Sequence, residues 1–152
     1  MKIIIRPTKF LDINQMMELN QRALPENYNR EFWSQKFYEG KTHSFVATWA
    51  TLVIGYIFCD ETTIISFAID EKFRGKGLGK QLLYCCLNTY NKPVRLHVRV
   101  SNEIALKLYR SVGFVEEEKM SEYYSNPTEG AYQMIRKLTN IKYEEKRKLN
   151  IT

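Results

Sequence analysis

The chain has 152 residues, a length that suits one domain with a hydrophobic core of its own. Hydrophobic residues make up 44% and charged residues 26%, which excludes an intrinsically disordered chain. Lys and Arg total 23 against 17 Asp and Glu, a formal charge of +6 that favours an anionic partner without choosing between a phosphorylated cofactor, nucleic acid and an RNA-rich particle.

Lys2–Arg6 reads as a short strand. Apolar residues at Leu11, Ile13, Met16, Met17, Leu19 and Leu24 recur at helical spacing and predict a helix over Leu11–Leu24. Pro25 ends it, because proline disfavours helix in the residue before it. A second helix is expected over Arg30–Tyr38, stopping at Gly40. Val-, Ile-, Phe- and Thr-rich segments at His43–Trp49, Leu52–Cys59 and Thr62–Ile69 predict an antiparallel meander. The glycine-rich turn Arg74–Gly79 leads into a helix over Gly77–Tyr90. Val94–Val100 alternates: Val94, Leu96, Val98 and Val100 face one way, Arg95, His97 and Arg99 the other. Asn102–Ser111 is a predicted helix burying Ile104, Ala105, Leu108 and Val112, and Gly113 ends it. Strands near Phe114–Glu118 and Ala131–Leu138 enclose a segment, Tyr123–Gly130, expected to be irregular. The order β-αα-βββ-α-β-α-ββ implies an α/β (α+β) domain, a mixed central sheet of about seven strands flanked by about four helices. Residues 1–138 form this domain, and residues 139–152 a charged tail that includes Lys142, Lys146, Arg147 and Lys148.

Cys59, Cys85 and Cys86 are odd in number and contain no CxxC; with only His43 and His97 besides, no zinc spacing can be written. The thiols are expected to be buried and reduced, which points to the cytoplasm. The N-terminal apolar run is too short for a secretory segment, and no stretch approaches the ~20 apolar residues of a membrane span.

The sharpest signal is Phe73-Arg74-Gly75-Lys76-Gly77-Leu78-Gly79-Lys80, after a strand and opening a helix. Glycines let the backbone turn tightly and approach a ligand, and the N–H groups of a helix start point at an anion. Arg74, Lys76 and Lys80 add positive charge, so a phosphate or pyrophosphate is the natural guest. A P-loop fails, because Gln81 follows Gly79-Lys80 and Arg74 stands where its first glycine belongs. A dinucleotide fingerprint fails too: the glycines run GxGxG and no βαβ unit follows. Arg74, Gly77 and Gly79 instead satisfy [QR]-x-x-G-x-[GA].

That pattern resembles the acetyl-coenzyme A site of the GNAT acetyltransferases, and the likeness covers roughly Lys2–Leu138. Leu24-Pro25-Glu26-Asn27-Tyr28, Leu96-His97-Val98-Arg99 with Ser101-Asn102 and Leu108-Tyr109, and Tyr123-Tyr124 before Ala131-Tyr132-Gln133-Met134 bring it closer to protein N-terminal acetyltransferases, especially the NatA catalytic subunit and its archaeal homologues. The bacterial ribosomal-protein-alanine branch typically carries a carboxylate where this chain has His97.

The resemblance implies transfer of acetyl from acetyl-CoA to an α-amino group by direct attack in a ternary complex, with no metal. It places the pantetheine arm along Phe67, Ala68 and Ile69 and the pyrophosphate on the amides of Gly75, Lys76, Gly77, Leu78, Gly79 and Lys80, beside Arg74. Asn102 and Tyr109 match positions near the cofactor; Tyr109 is the acid for the departing thiolate, or a packed aromatic. Glu26 and His97 compete for the base, as a water-linked relay in which neither is singled out. Arg99 orients Glu26 or the peptide, or is a solvated strand arginine. Leu24, Pro25, Tyr28, Tyr123 and Tyr124 would hold the peptide. Implied partners are protein N-termini, nascent chains at the ribosome among them, with an auxiliary subunit in NatA-type members and none in archaeal relatives; neither membrane nor specific nucleic acid is implied. Two other readings stay open: a GNAT enzyme for lysine side chains or a small amine, and a basic ribosome-binding module using the tail.

Overall fold

The computed structural model describes residues 2–40 and 42–137. The predicted tail, including the Lys142–Lys148 run, and the last predicted strand residue, Leu138, lie outside the described residues. The strands are β1 (Ile3–Pro7), β2 (Phe45–Trp49), β3 (Leu52–Asp60), β4 (Thr63–Ile69), β5 (Val94–Arg99), β6 (Val115–Tyr124) and β7 (Glu129–Arg136). The helices are α1 (Ile13–Ala23), α2 (Arg30–Tyr38), α3 (Leu78–Leu87) and α4 (Glu103–Ser111), with single 3₁₀ turns at Phe10–Asp12 and Glu71–Phe73.

All seven strands form one sheet in the order β1-β2-β3-β4-β5-β7-β6. Every neighbouring pair is antiparallel except β4 and β5. Those two run parallel and share a single register pair, Thr63 with Arg95, fastened by the Arg95 N–H on the Thr62 carbonyl at 2.9 Å. Beyond it the strands part. Ile64–Ile69 stay laddered to β3 alone, and β5 to β7 alone.

Helices cover both faces. Leu82, Leu83 and Cys86 of α3 and Leu106 of α4 pack with Ile57, Leu96, Phe114 and Met134. On the other face Met16 and Leu19 of α1 and Trp33 of α2 pack with Tyr56, Phe58 and Ala68. β3 lies between these cores, so Val53–Cys59 are buried throughout instead of alternating. Each fully buried side chain of the Leu82 kind contributes ~1.5–3 kcal/mol. Cys59 and Cys86 are buried with their sulfurs 3.0 Å apart, Cys85 is half-buried, and all three are unbridged.

Three expectations need correction. The first helix opens as a 3₁₀ turn at Phe10–Asp12, where Arg6 makes two bonds to Asp12 (2.7 and 2.8 Å); Leu11 is thereby left outside the apolar stripe and exposed. In α4, Ile104 is 86% exposed, and it is Leu106 and Tyr109 that face the core. Ala105 and Leu108 pack partly buried against the core and Val112 is buried, as expected, while Ile104, Ala105 and Leu108 also line a cleft. Lastly, β6 runs to Tyr124 and β7 starts at Glu129, so most of the segment read as irregular is a hairpin. The continuation of the strand past Glu118 went unread because β6 is an exposed edge, and polar edge strands give no hydrophobic alternation.

Candidate active site

The parting of β4 from β5 opens one cleft of about 990 Å³. Its glycine-loop wall follows from local chain chemistry. Gly75 and Gly77 adopt φ of +77° and +80°, a left-handed conformation that costs an L-residue roughly 1–2 kcal/mol and costs glycine little. Gly77 is the N-cap of α3, so the first N–H groups of that helix point out of the loop without intrahelical partners. A Cβ on Gly79 would stand 3.3 Å from the Phe67 ring, so glycine keeps the helix start close to β4. The Arg74 side chain is tied to the Ile69 carbonyl at 2.9 Å. Arg74 and Lys80 line the cleft; Lys76 does not, and its ammonium sits 5.5 Å from the Phe73 ring centroid. Backbone donors with positive charge and a glycine-lined approach fit a pyrophosphate, and the half-laddered β4 fits an amide-bearing arm.

Across the cleft the wall is built from side chains. Asn20, fully buried in α1, donates to the Glu26 carbonyl (3.0 Å) and accepts from the Tyr28 N–H (3.4 Å), which shapes the loop after Pro25. The Tyr28 ring stacks on Phe32 at 4.5 Å. Arg99, 11% exposed, is the hub. Its Nε and Nη2 both reach Glu26 Oε1, at 3.1 and 2.5 Å. It also donates to Glu129 (3.3 Å) and to the carbonyls of Pro127 (2.8 Å) and Ser125 (3.2 Å). The Tyr124 ring lies against the guanidinium, 4.6 Å from centroid to Cζ. Glu129 also accepts from the Ser101 N–H at 2.7 Å; hydrogen bonds from Ser101 and then from Arg99 hold its carboxyl below the usual range.

His97 stacks flat on Tyr123 (4.7 Å, 13°), and its Nε2 meets Gln133 Oε1 at 3.1 Å. Tyr109 is buried beside Phe67 and Phe114, and burial pushes its phenol well above the ordinary value, so it stays protonated at neutral pH. Burial likewise raises Tyr28 and Tyr124. Asn102 is the N-cap of α4: its Oδ1 accepts from the Ala105 N–H at 3.1 Å.

Lys76 and the basic tail apart, every residue the sequence singled out for chemistry or binding lines this cleft; the tail lies outside the described residues. Leu24, Pro25, Glu26, Tyr28, Tyr123 and Tyr124 line one end. Gly75, Gly77, Leu78, Gly79 and Lys80 line the other, with Phe67–Ile69, Asn102 and Tyr109 between; His97, stacked on Tyr123, belongs to the first end. Asn20, Glu129 and Gln133 were missed. Glu129 fell in the segment read as irregular, Gln133 stood in the Ala131–Met134 stretch without being given a role, and no motif marks Asn20. Among the described residues no cluster of His, Cys, Asp and Glu could hold a metal ion, and no helix is long and apolar enough to cross a membrane.

Comparison with known proteins shows the family. The acetyltransferase (GNAT) domain family matches residues 13–126. An N-alpha-acetyltransferase of Sulfurisphaera tokodaii is 32% identical over 151 residues, covering 86% of this chain and 90% of its own. Ard1 from Thermoplasma volcanium superposes with a TM-score of 0.82 at 30% identity, over 92% of this chain and 100% of that one. Arabidopsis thaliana Naa50, solved with the bisubstrate analogue CoA-Ac-MVNAL, shares the fold with a TM-score of 0.80 at 23% identity, over 91% of this chain and 100% of its own.

Proposed function

The chain belongs to the GNAT acetyltransferase family and is an acetyl-CoA-dependent N-acetyltransferase; from that premise we propose that it acetylates the α-amino groups of protein N-termini by direct attack in a ternary complex. One observation carries this reading: a single cleft joins an amide-lined glycine loop at one end to the wall of Pro25, Glu26, His97 and Tyr123 at the other.

In this reading the amides from Gly75 to Lys80 and the Arg74 and Lys80 cations hold the pyrophosphate, and β4 from Phe67 to Ile69 offers its open edge to the pantetheine arm. A backbone N–H there polarises the thioester carbonyl. An α-amine has a pKa of ~7.7–8.0, so a modest base suffices to free its lone pair. Glu26 and His97 form that base as a water-linked relay. Both Arg99 bonds fall on Oε1 of Glu26, which leaves Oε2 to face water or amine. A thiol titrates near ~8.5, far below the raised Tyr109 phenol, so Tyr109 serves by donating its O–H to the departing sulfur. Leu24, Pro25, Tyr28, Tyr123 and Tyr124 grip the first residues of the peptide. The proposed substrates include nascent chains at the ribosome, and the proposed place of action is the cytoplasm. The acetyltransferase domain is taken as residues 1–138.

The test is a panel of peptides incubated with acetyl-CoA and read by mass and site of modification. Acetylation at the α-amine of Ser-, Ala- or Met-starting peptides is expected. Modification confined to lysine side chains or polyamines would transfer the enzyme to the other substrate class. Thermal stabilisation by acetyl-CoA separates either enzyme from a pure binding module.

A further inference from the structure

Gln133 stands directly across from His97, on the neighbouring strand β7. Its Oε1 lies 3.1 Å from His97 Nε2, while its Nε2 donates to Glu117 Oε2 at 2.7 Å. Glu117 in turn accepts from Arg95 Nε (3.0 Å) and Nη2 (3.3 Å). Hydrogen bonds from Arg95 first and Gln133 second hold the Glu117 carboxyl below its usual range, so it is ionised near neutrality. An ionised carboxylate only accepts, so the carboxamide must present its NH₂ to Glu117 and its oxygen to the imidazole. A carboxamide oxygen also only accepts. The hydrogen between Gln133 and His97 therefore sits on His97 Nε2, and the lone pair of the neutral ring sits on Nδ1. The flat stack on Tyr123 restrains the ring plane.

We propose that Gln133, itself oriented by Glu117 and Arg95, is a positioning residue that fixes His97 as the Nε2–H tautomer and makes Nδ1 the nitrogen that takes up the amine proton. The second half rests on His97 belonging to the base relay. Gln133 touches no reacting atom: it sets which imidazole nitrogen is basic. On transfer the proton leaves the amine for Nδ1, and the resulting imidazolium keeps its Nε2–H bond to Gln133, so the charge forms without breaking a contact.

The tautomer can be read without catalysis. Long-range ¹H–¹⁵N correlation spectra of the full chain labelled at its 2 histidines, with a His43→Gln variant for assignment, should show His97 protonated on Nε2 and bare on Nδ1. Gln133→Met keeps the shape and removes the acceptor. It should let the Nδ1–H form appear and lower kcat roughly 10-fold, part of the ~10²–10⁴ a positioned base supplies. Exchanging the pair, Glu117→Gln with Gln133→Glu, keeps an acceptor against Nε2 and should restore both the tautomer and most of kcat. A wild-type spectrum with the hydrogen on Nδ1, or a Gln133→Met variant unchanged in both tautomer and kcat, overturns the proposal. A correct tautomer together with full turnover in His97→Gln overturns the assignment of the base instead.

Discussion

The two walls of the cleft are made by different means. The wall proposed for the cofactor is backbone: left-handed glycines, the N–H groups opening α3, and a strand edge released from its neighbour. The wall proposed for the peptide is a side-chain network, in which Arg99 joins the loop after α1 to the β6–β7 hairpin through Glu26, Glu129 and two carbonyls. A backbone site tolerates changes of side chain and fails when a Cβ intrudes. A network site fails when its hub is cut, because the remaining buried partners keep their desolvation cost and lose their bonds.

That contrast predicts separable defects. The largest is expected from Arg99→Ala. Truncating one member of a largely buried charged network costs about 2–5 kcal/mol. The kcat/KM for peptide should therefore fall roughly 100-fold or more, with acetyl-CoA affinity by calorimetry changed less than about 3-fold. Equal loss on both sides would merge the walls into one unit. Gly77→Ala should do the reverse. The left-handed strain of about 1–2 kcal/mol weakens acetyl-CoA binding roughly 10-fold, while kcat at saturating cofactor stays close to wild type. Tyr109→Phe, at the junction, should lower kcat several-fold and leave KM nearly unchanged; unaltered turnover would reduce Tyr109 to a packed ring.

The smallest effect is on acid stability. Glu129 has a folded pKa below its unfolded value of about 4.3. Its contribution is therefore complete above that value and is lost as pH falls through the folded pKa. Glu129→Gln should leave thermal melting at pH 7 only slightly lowered and flatten the decline in Tm below about pH 4. A decline as steep as wild type would show that Arg99 and Ser101 stabilise Glu129 no better than water does.

The same contrast explains what could be read from the chain alone. Arg74, Gly77 and Gly79 are legible because backbone geometry demands particular residues at fixed local spacing. β5 was legible because one of its faces is buried and its alternation is complete. β6 was cut short because nothing periodic marks an exposed acidic edge. In α4 Ile104 was wrongly counted into the buried stripe and Leu106 was left out of it, because apolar residues serve both the core and the cleft there. Glu129 and Gln133 lie 30 and 36 residues from their partners Arg99 and His97, and no local pattern announces a contact that only strand pairing creates.

The lone Thr63–Arg95 fastening between β4 and β5 leaves the domain as a four-stranded and a three-stranded half that share one rivet. The amide-bearing arm proposed as guest in the gap would add rungs that the protein omits from its own ladder. Recognition of such a guest depends on the spacing of main-chain groups, so the side chains along that edge are open to drift through descent while the grip persists.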